Sequence, residues 1–197
     1  MGQDWRDCIV VYIDLIGTKT TKDPVKRMRS LHALLHKTKC KLNSIDYAYA
    51  WNDCALLLSF VNRPEAYFET MRDAESLKKR IDRELGKSYA VAIKGQAFPE
   101  IDATTDAQDS GVIVIKASSW AMANCFEVED QARKCRWTQH WYVDSRIADR
   151  IRTDRKSVKK EVSMFGAQGK RQARPIHAFK DYLWNDDPHA QTQTDDL

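Results

Sequence analysis

The stretch CIVVYIDLIGTKT (residues 8–20) is a run of apolar and β-branched residues that has Asp14 near its end and Gly17 close behind. This pattern predicts a buried strand followed by a tight turn. A second stretch, IDYAYAWNDCALLLSF (residues 45–60), places Asn52 and Asp53 between two further runs that read as strands. Each of the two carboxylates is therefore either a residue that favours a turn or a ligand for a metal ion.

The rest of the chain predicts further helices and strands. Asp23 caps a helix with Pro24 in its first turn that ends near Asn43, and Pro64 begins a second helix that ends before Gly86. Strands are predicted within residues 88–98, 112–116 and 140–144, helices from residue 118 or 119 and within 146–152, and a closing hairpin within 158–166 and 174–182. Residues 99–111 are polar and acidic, which indicates an unusually long loop of the kind that often borders a site.

The order of these elements predicts the fold class. A βαββαβ order is the ferredoxin-like arrangement, an α+β fold with an antiparallel sheet and helices packed on one face, here extended by a C-terminal hairpin. In this topology the first strand and the hairpin lie side by side, so Asp14 and Asp53 should be neighbours. Residues 1–184 are expected to form one domain, and residues 185–197, which lack apolar content, a disordered tail.

Composition limits the class of protein. The 197 residues carry a net charge of +4, which suits a pocket for a small anion without demanding nucleic acid. The five cysteines form no CxxC pair, so buried free thiols are favoured over a metal site. The opening residues MGQDWRDC lack the pattern of a secretory signal, and no apolar run approaches the roughly 20 residues that span a bilayer. We therefore expect a cytosolic protein.

Two neighbouring carboxylates have a defined chemistry. They can hold two divalent metal ions, and Mg²⁺ and Mn²⁺ prefer such oxygen ligands. The turn at Gly17 would direct backbone N–H groups towards phosphate oxygens, and Lys19 and Lys22 add positive charge nearby. The pattern is typical of a site where a nucleoside triphosphate is held by two metals and attacked at one phosphorus.

These segments resemble class III adenylyl and guanylyl cyclases. VVYIDLIGTKT is similar to the first strand and turn of that family, and AYAWNDCALLLSF to its second strand–turn–strand motif. YAVAIKGQAF, VIVIKASSWAMANCFEVED, YVDSRIADRI and FGAQGKRQARPIHAFK resemble later segments in the same order. The similarity is weak in identity but covers roughly residues 8–182.

The resemblance implies roles for particular residues. Asp14 and Asp53 match the two metal-binding aspartates, and the backbone carbonyl of Leu15 matches a further ligand. The turn that contacts phosphate corresponds to Ile16, Gly17 and Thr18. No histidine or serine nucleophile is required, and His32 and His36, one helical turn apart, are expected at the surface.

Other family positions are changed here. The asparagine and arginine that stabilise the transition state fall near Ala121 and Cys125, so either the alignment slips, or another basic residue takes over charge stabilisation, or the protein is inactive. The candidates are Lys170 and Arg171 as phosphate-binding residues, and Lys94 and Lys116 as residues of the base pocket. The family's lysine that recognises adenine falls at Tyr49 and its aspartate falls near Val114, which argues against an adenine substrate.

A short cyclase with an aromatic residue at the base-reading position most resembles the pyrimidine cyclases of the Pycsar anti-phage systems of bacteria. The resemblance implies conversion of UTP to cyclic UMP and diphosphate with two Mn²⁺ or Mg²⁺ ions, in a head-to-tail homodimer with composite sites. The product would activate a separate effector. Tyr49 is equally compatible with packing in a ladder between Tyr47 and Trp51.

Several alternatives remain open from the sequence. The substrate could be CTP, which gives cyclic CMP, or the chain could be an inactive cyclase-like sensor that binds a nucleotide, as the changes at Ala121 and Cys125 suggest. Polymerase palm domains also place two aspartates on a βαββαβ sheet, but the modest charge and small size argue against nucleic-acid binding. A purely structural interpretation makes both aspartates turn residues.

Overall fold

A computed structural model describes residues 5–38, 41–97, 119–151, 153, 155–166 and 169–184. These residues form a seven-stranded sheet with strand order β2-β3-β1-β4-β5-β7-β6. The strands are β1 (Arg6–Leu15), β2 (Tyr47–Trp51), β3 (Cys54–Phe60), β4 (Ser88–Ala97), β5 (Trp141–Asp144), β6 (Ser157–Phe165) and β7 (Arg171–Phe179). The α-helices are α1 (Pro24–Thr38), α2 (Pro64–Leu85), α3 (Trp120–Lys134) and α4 (Ser145–Ile151).

Strand β1 lies at the centre of the site-bearing half of the sheet. It pairs antiparallel with β3 on one side and with β4 on the other. In this register Asp14 is opposite Cys54 of β3 and opposite Tyr89 of β4. The β2–β3 hairpin therefore ends beside the carboxyl end of β1, as the βαββαβ order predicts.

Both faces of β1 are buried, which explains its nearly continuous apolar run. Ile9, Val11 and Ile13 face a core shared with α1, α2 and α4. Val10 and Tyr12 face a second core that is covered by α3. Side chains alternate between the faces of a strand, so Asp14 lies on the same face as Tyr12 and α3.

The predicted fold class is confirmed, with three details corrected. Strands β4 and β5 pair in parallel, because the chain crosses through α3 between them and returns in the same direction. Helices cover both faces of the sheet rather than one, since α3 packs on the face opposite α1 and α2. The first helix is described as far as Thr38, and it does not reach Asn43, because Leu42 is no longer helical and its carbonyl accepts a hydrogen bond from Ile45.

Some predicted features lie outside the described residues. These are the loop at residues 99–111, the strand at 112–116 with Val114 and Lys116, and the tail at 185–197. Within the described part of the chain, the helices are too short or too polar to cross a bilayer.

Candidate active site

The end of β1 is tied directly to the β2–β3 hairpin. The backbone N–H of Leu15 donates a hydrogen bond to the carbonyl of Asp53 at 3.1 Å. Burial raises the pKa of Asp14 to about 6; a hydrogen bond from Tyr89 acts against this rise, and the negative charge of Asp53 adds to it. The two predicted carboxylates therefore lie at the same end of the sheet and close enough to interact.

A third carboxylate lies beside this pair. The hydroxyl of Tyr89 lies between two carboxylates: it donates to Glu129 Oε1 on α3 at 3.0 Å, and Asp14 is the alternative acceptor for the same proton. The negative charge of Glu129 contributes to the raised pKa of Asp14. Sequence reasoning missed Tyr89 and Glu129, because only the packing of α3 over β1 and β4 brings them to Asp14.

The hairpin that carries Asp53 is held from two sides. His32 on α1 places Nε2 3.0 Å from the carbonyl of Asn52, and the thiol of Cys54 donates to the carbonyl of Trp51 at 2.9 Å. Asn52 has a φ of 52°, a left-handed conformation that asparagine tolerates better than most residues. His32 is exposed, as expected, but it also contacts the hairpin.

The turn after β1 differs in one respect from its predicted role. The N–H of Ile16 donates to the carbonyl of Lys87 at 2.9 Å, so that donor is occupied within the chain. The N–H groups of Gly17 and Thr18 form no hydrogen bond with the described residues. Gly17 has a φ of 78° and precedes a single 3₁₀ turn, Thr18–Thr20. The turn thus offers two backbone donors rather than three.

Arg27 fixes the position of this turn. Its Nη1 donates to the carbonyl of Ile16 at 3.0 Å and to Thr18 Oγ1 at 3.4 Å. Its Nε donates to the carbonyl of Leu85 at the end of α2 at 3.0 Å. The sequence marks Arg27 only as a polar residue in the first turns of a helix, so this function was not predicted.

A cleft of about 540 Å³ opens next to Asp14. We call it the Asp14 cleft. It is bounded by the end of β1, the start of β4, the C-terminal turns of α3 and the segment that leads into β5. Its lining residues include Asp14–Gly17, Lys87–Tyr89, Glu129, Arg133, Trp137–His140 and Tyr142.

Three of the predicted basic residues lie at the other end of the sheet. Lys94 is opposite Ile9 and forms an ion pair with Asp7 at 3.1 Å. It is five positions along β4 from Tyr89, or about 17 Å at the rise of a strand. Lys170 and Arg171 lie at the β6–β7 hairpin, where Arg171 makes a two-point ion pair with Glu127 at 3.0 and 2.9 Å. Within one chain these residues do not share a cleft with Asp14.

The positions aligned with the family's transition-state residues are buried. Ala121 and Cys125 are both fully inaccessible on the side of α3 that faces the sheet. Gly95 permits this approach, because a Cβ there would lie 2.8 Å from the Cβ of Ala121. In this chain, therefore, larger polar residues at these two positions would not reach a surface.

Tyr49, the residue at the base-reading position, lies on the edge strand β2. It is opposite Leu56, and its ring packs at the border of the core beneath α3. Its hydroxyl is buried and has no hydrogen-bond partner among the described residues, and burial raises its pKa. Tyr49 thus packs against the core, and this packing leaves its hydroxyl without a partner among the described residues.

The donor set at the end of β1 suits hard cations. Within the described residues, no cluster of three or more His, Cys, Asp or Glu side chains is arranged to hold a metal ion. The fit depends instead on Asp14 and Asp53: burial is the main cause of the raised pKa of Asp14, and repulsion by the Asp53 carboxylate adds to it. A divalent cation between them would relieve that repulsion, and carboxylates are the ligands that Mg²⁺ and Mn²⁺ prefer.

Comparison with solved structures identifies the fold. A bacterial light-regulated adenylyl cyclase has a TM-score of 0.59 at 10% identity, over 91% of this chain and 92% of that one. The adenylyl cyclase CyaB from P. aeruginosa has a TM-score of 0.59 at 9% identity, over 92% and 97%. The guanylyl cyclase Cya2 has a TM-score of 0.59 at 11% identity, over 91% and 94%. No protein-family model and no curated protein matches the sequence. The chain has the class III nucleotide cyclase fold.

Proposed function

We propose that this protein is a nucleotide cyclase that converts a pyrimidine nucleoside triphosphate, UTP in preference to CTP, to the cyclic nucleotide and diphosphate. The observation that carries the proposal is the position of Asp14 and Asp53 at the same end of the sheet of a cyclase fold, where the N–H of Leu15 donates to the carbonyl of Asp53 at 3.1 Å. The N–H groups of Gly17 and Thr18 beside them suit a triphosphate.

The reaction is an in-line displacement at the α-phosphorus. The ribose 3′-oxygen forms a bond to phosphorus, the bond to the bridging oxygen of diphosphate breaks, and the hydroxyl proton is released. Two Mn²⁺ or Mg²⁺ ions, when bound, activate the attacking oxygen and neutralise phosphate charge. The carboxylates of Asp14 and Asp53 and the carbonyl of Leu15 would hold these ions.

The other residues of the turn bind and orient the triphosphate. Gly17 and Thr18 donate backbone N–H groups to phosphate oxygens, and Arg27 keeps the turn in place through the carbonyl of Ile16. The turn therefore needs no rearrangement to accept phosphate, which lowers the cost of positioning the substrate.

A head-to-tail homodimer would complete the site. Asp14 and Asp53 lie at one end of the sheet, and Lys94, Lys170 and Arg171 lie at the other. An antiparallel pair of chains would bring the basic end of one chain to the acidic end of its partner. This arrangement gives two composite sites and supplies the positive charge that Ala121 and Cys125 do not provide.

The choice of a pyrimidine depends on Tyr49. An aromatic ring there cannot make the polar contacts by which a lysine recognises adenine, and it narrows the space for a base. In a cytosolic Pycsar-like system, the cyclic product would act as a second messenger for a separate effector.

The direct test is a product assay. The protein is incubated with equal amounts of the four ribonucleoside triphosphates and Mn²⁺, and the products are analysed by mass spectrometry. Cyclic UMP as the main product supports the proposal, and cyclic CMP would shift the assignment to a cytidylate cyclase. If the protein binds a triphosphate but releases no diphosphate, it is a nucleotide-binding sensor, the alternative that the buried positions 121 and 125 favour.

A further inference from the structure

The start of β4 is held in place by side chains of α2. Strand β5 pairs with β4 only from Ala90 onward, so Ser88 lies beyond the end of that pairing. Asp82 Oδ1 accepts hydrogen bonds from the N–H of Ser88 at 2.7 Å and from its hydroxyl at 2.6 Å. Lys78 Nζ donates to the carbonyl of Ser88 at 2.9 Å. Two side chains of one helix thus bind all three polar groups of Ser88, which is buried.

Lys78 and Asp82 also form a buried ion pair, one helical turn apart. Lys78 Nζ lies 2.7 Å from Asp82 Oδ2, and the two side chains are 0% and 10% exposed. Buried ion pairs seldom stabilise a protein more than well-packed apolar residues would, because both charges lose their hydration. Apolar residues at these positions could not bind the N–H, the hydroxyl and the carbonyl of Ser88. The pair is therefore suited to fixing Ser88 in one position.

Tyr182, in the segment that follows β7, also binds this pair. Its hydroxyl donates to Asp82 Oδ2 at 2.8 Å. The next two residues are anchored on the same helix: Glu75 accepts hydrogen bonds from the N–H of Leu183 at 2.5 Å and from that of Trp184 at 3.0 Å. Glu75 lies about two turns before Asp82 on α2. The segment after β7 is thus attached to α2 next to the residues that hold Ser88.

Ser88 lies between two residues of the candidate site. The carbonyl of Lys87 accepts a hydrogen bond from the N–H of Ile16 at 2.9 Å, and Tyr89 is opposite Asp14 in the β1–β4 register. A displacement of Ser88 would move both of its neighbours, because planar peptide bonds join them to it. The side chains on α2 therefore act on the turn after β1 through the backbone of β4.

We propose that Lys78, Asp82 and Tyr182, which we call the α2 clamp, are positioning residues for the turn after β1. The clamp fixes Ser88, and the carbonyl of the preceding residue then holds Ile16, so that the two unpaired N–H groups of the turn keep one orientation. The segment after β7 thereby contributes to the candidate site without lining it. That the turn binds a triphosphate rests on the proposed function, whereas the hold of the clamp on the turn does not.

Hydrogen exchange tests the clamp without metal, ligand or turnover. NMR follows the exchange of the Ile16 amide, whose acceptor is at the start of β4, and of the Leu15 amide, whose acceptor is in the β2–β3 hairpin. Ser88→Ala removes one hydrogen bond to Asp82 and should speed exchange of the Ile16 amide at least about fivefold relative to the Leu15 amide. A general loss of stability would speed the exchange of both amides together and leave this ratio unchanged.

Two variants in other segments give a matched comparison. Tyr182→Phe removes only the hydroxyl that binds Asp82 and should raise the exchange ratio at least about twofold. Thr153→Val removes the hydroxyl that donates to the carbonyl of Leu183 at 2.8 Å, a contact that does not reach Ser88, and should leave the ratio unchanged. The proposal is overturned if Ser88→Ala leaves the ratio unchanged, or if Thr153→Val raises it as much as Tyr182→Phe. If Ser88→Ala does not fold, the comparison of the other two variants decides.

A binding measurement determines whether the clamp serves the triphosphate. Calorimetry gives the affinity for the non-reactive α,β-methylene analogue of UTP in the presence of Mg²⁺. We expect Ser88→Ala to bind the analogue at least about threefold more weakly, and Thr153→Val to bind it as the unaltered protein does. Equal affinities of Ser88→Ala and the unaltered protein would overturn the positioning role. If the unaltered protein binds no triphosphate, the proposed function fails, and the exchange ratio still decides whether the clamp holds the turn.

Discussion

The backbone N–H of Leu15 donates to the carbonyl of Asp53 at 3.1 Å, which joins the last residue of β1 to the tip of the β2–β3 hairpin. The bond uses main-chain atoms, so it fixes the spacing of the two acidic residues without occupying either carboxylate. Side chains at positions 14 and 53 can therefore be changed while the frame that carries them is kept.

Asp14→Asn and Asp53→Asn should each lower the rate of cyclic nucleotide formation by at least about 100-fold, because each removes a charged ligand worth several kcal/mol in the transition state. The rate is measured with UTP and Mn²⁺, and folding is checked by circular dichroism. Asp149→Asn, an exposed change on α4, serves as the control. A folded variant at position 14 or 53 with full activity would show that the metal site is placed wrongly.

In the metal-free protein, the contribution of Asp14 to stability should fall as the pH rises from about 4 to 7. The pKa of Asp14 is raised in the folded protein to about 6 from an ordinary value of 3.8, so its contribution is present at low pH and is lost as the pH rises through 6. Asp14→Asn should therefore raise the free energy of unfolding more at pH 7 than at pH 4, by on the order of 2 kcal/mol. Urea unfolding in EDTA measures this, and an equal effect at both pH values would contradict the raised pKa.

Gly17→Ala should destabilise the turn, because the φ of 78° is costly for a residue with a Cβ. We expect a loss of about 1 to 2 kcal/mol in the free energy of unfolding and a higher KM for the triphosphate. Gly17→Asn is the matched variant, since asparagine tolerates the left-handed conformation, and it should be affected less. Equal effects of the two substitutions would mean that backbone strain is not the cause.

Arg27→Ala should raise the KM for the triphosphate by roughly tenfold, because the turn loses the contacts that Arg27 makes to Ile16 and Thr18. Arg29→Ala, an exposed change on the same helix, provides the comparison because it removes the same charge. If the two variants raise the KM equally, Arg27 acts through general electrostatics rather than by holding the turn.

Local patterns explain why much of the fold was predictable. A few neighbouring residues are enough to predict each of these features: the apolar strand β1, the Asn52–Asp53 turn, and the limits of α2 at Pro64 and Gly86. Ser119 caps α3 by accepting hydrogen bonds from the N–H groups of Ala121 and Met122, which agrees with a helix predicted to begin at Ser118 or Ser119. Errors appeared where elements distant in sequence meet, as in the parallel pairing of β4 with β5.

In the candidate site, too, some residues could be predicted from the sequence and others could not. Asp14 and Asp53 could be paired in advance, because the βαββαβ order alone puts the end of β1 beside the hairpin. Arg27 and Glu129 could not, since polar residues on helices occur throughout the chain and only packing selects these two. The sequence also did not indicate that the N–H of Ile16 donates a hydrogen bond within the chain, because its acceptor, the carbonyl of Lys87, belongs to a segment that follows α2.

The sequence by itself determined the order and type of the main elements and the position of both acidic residues. These features depend on hydrophobic periodicity and on turn-forming residues, both of which involve residues close together in the chain. Only the tertiary structure decided which face α3 covers, which basic residues lie far from Asp14, and that residues 121 and 125 are buried. Those properties depend on the packing of helices against the sheet, which the local pattern of any one segment does not specify.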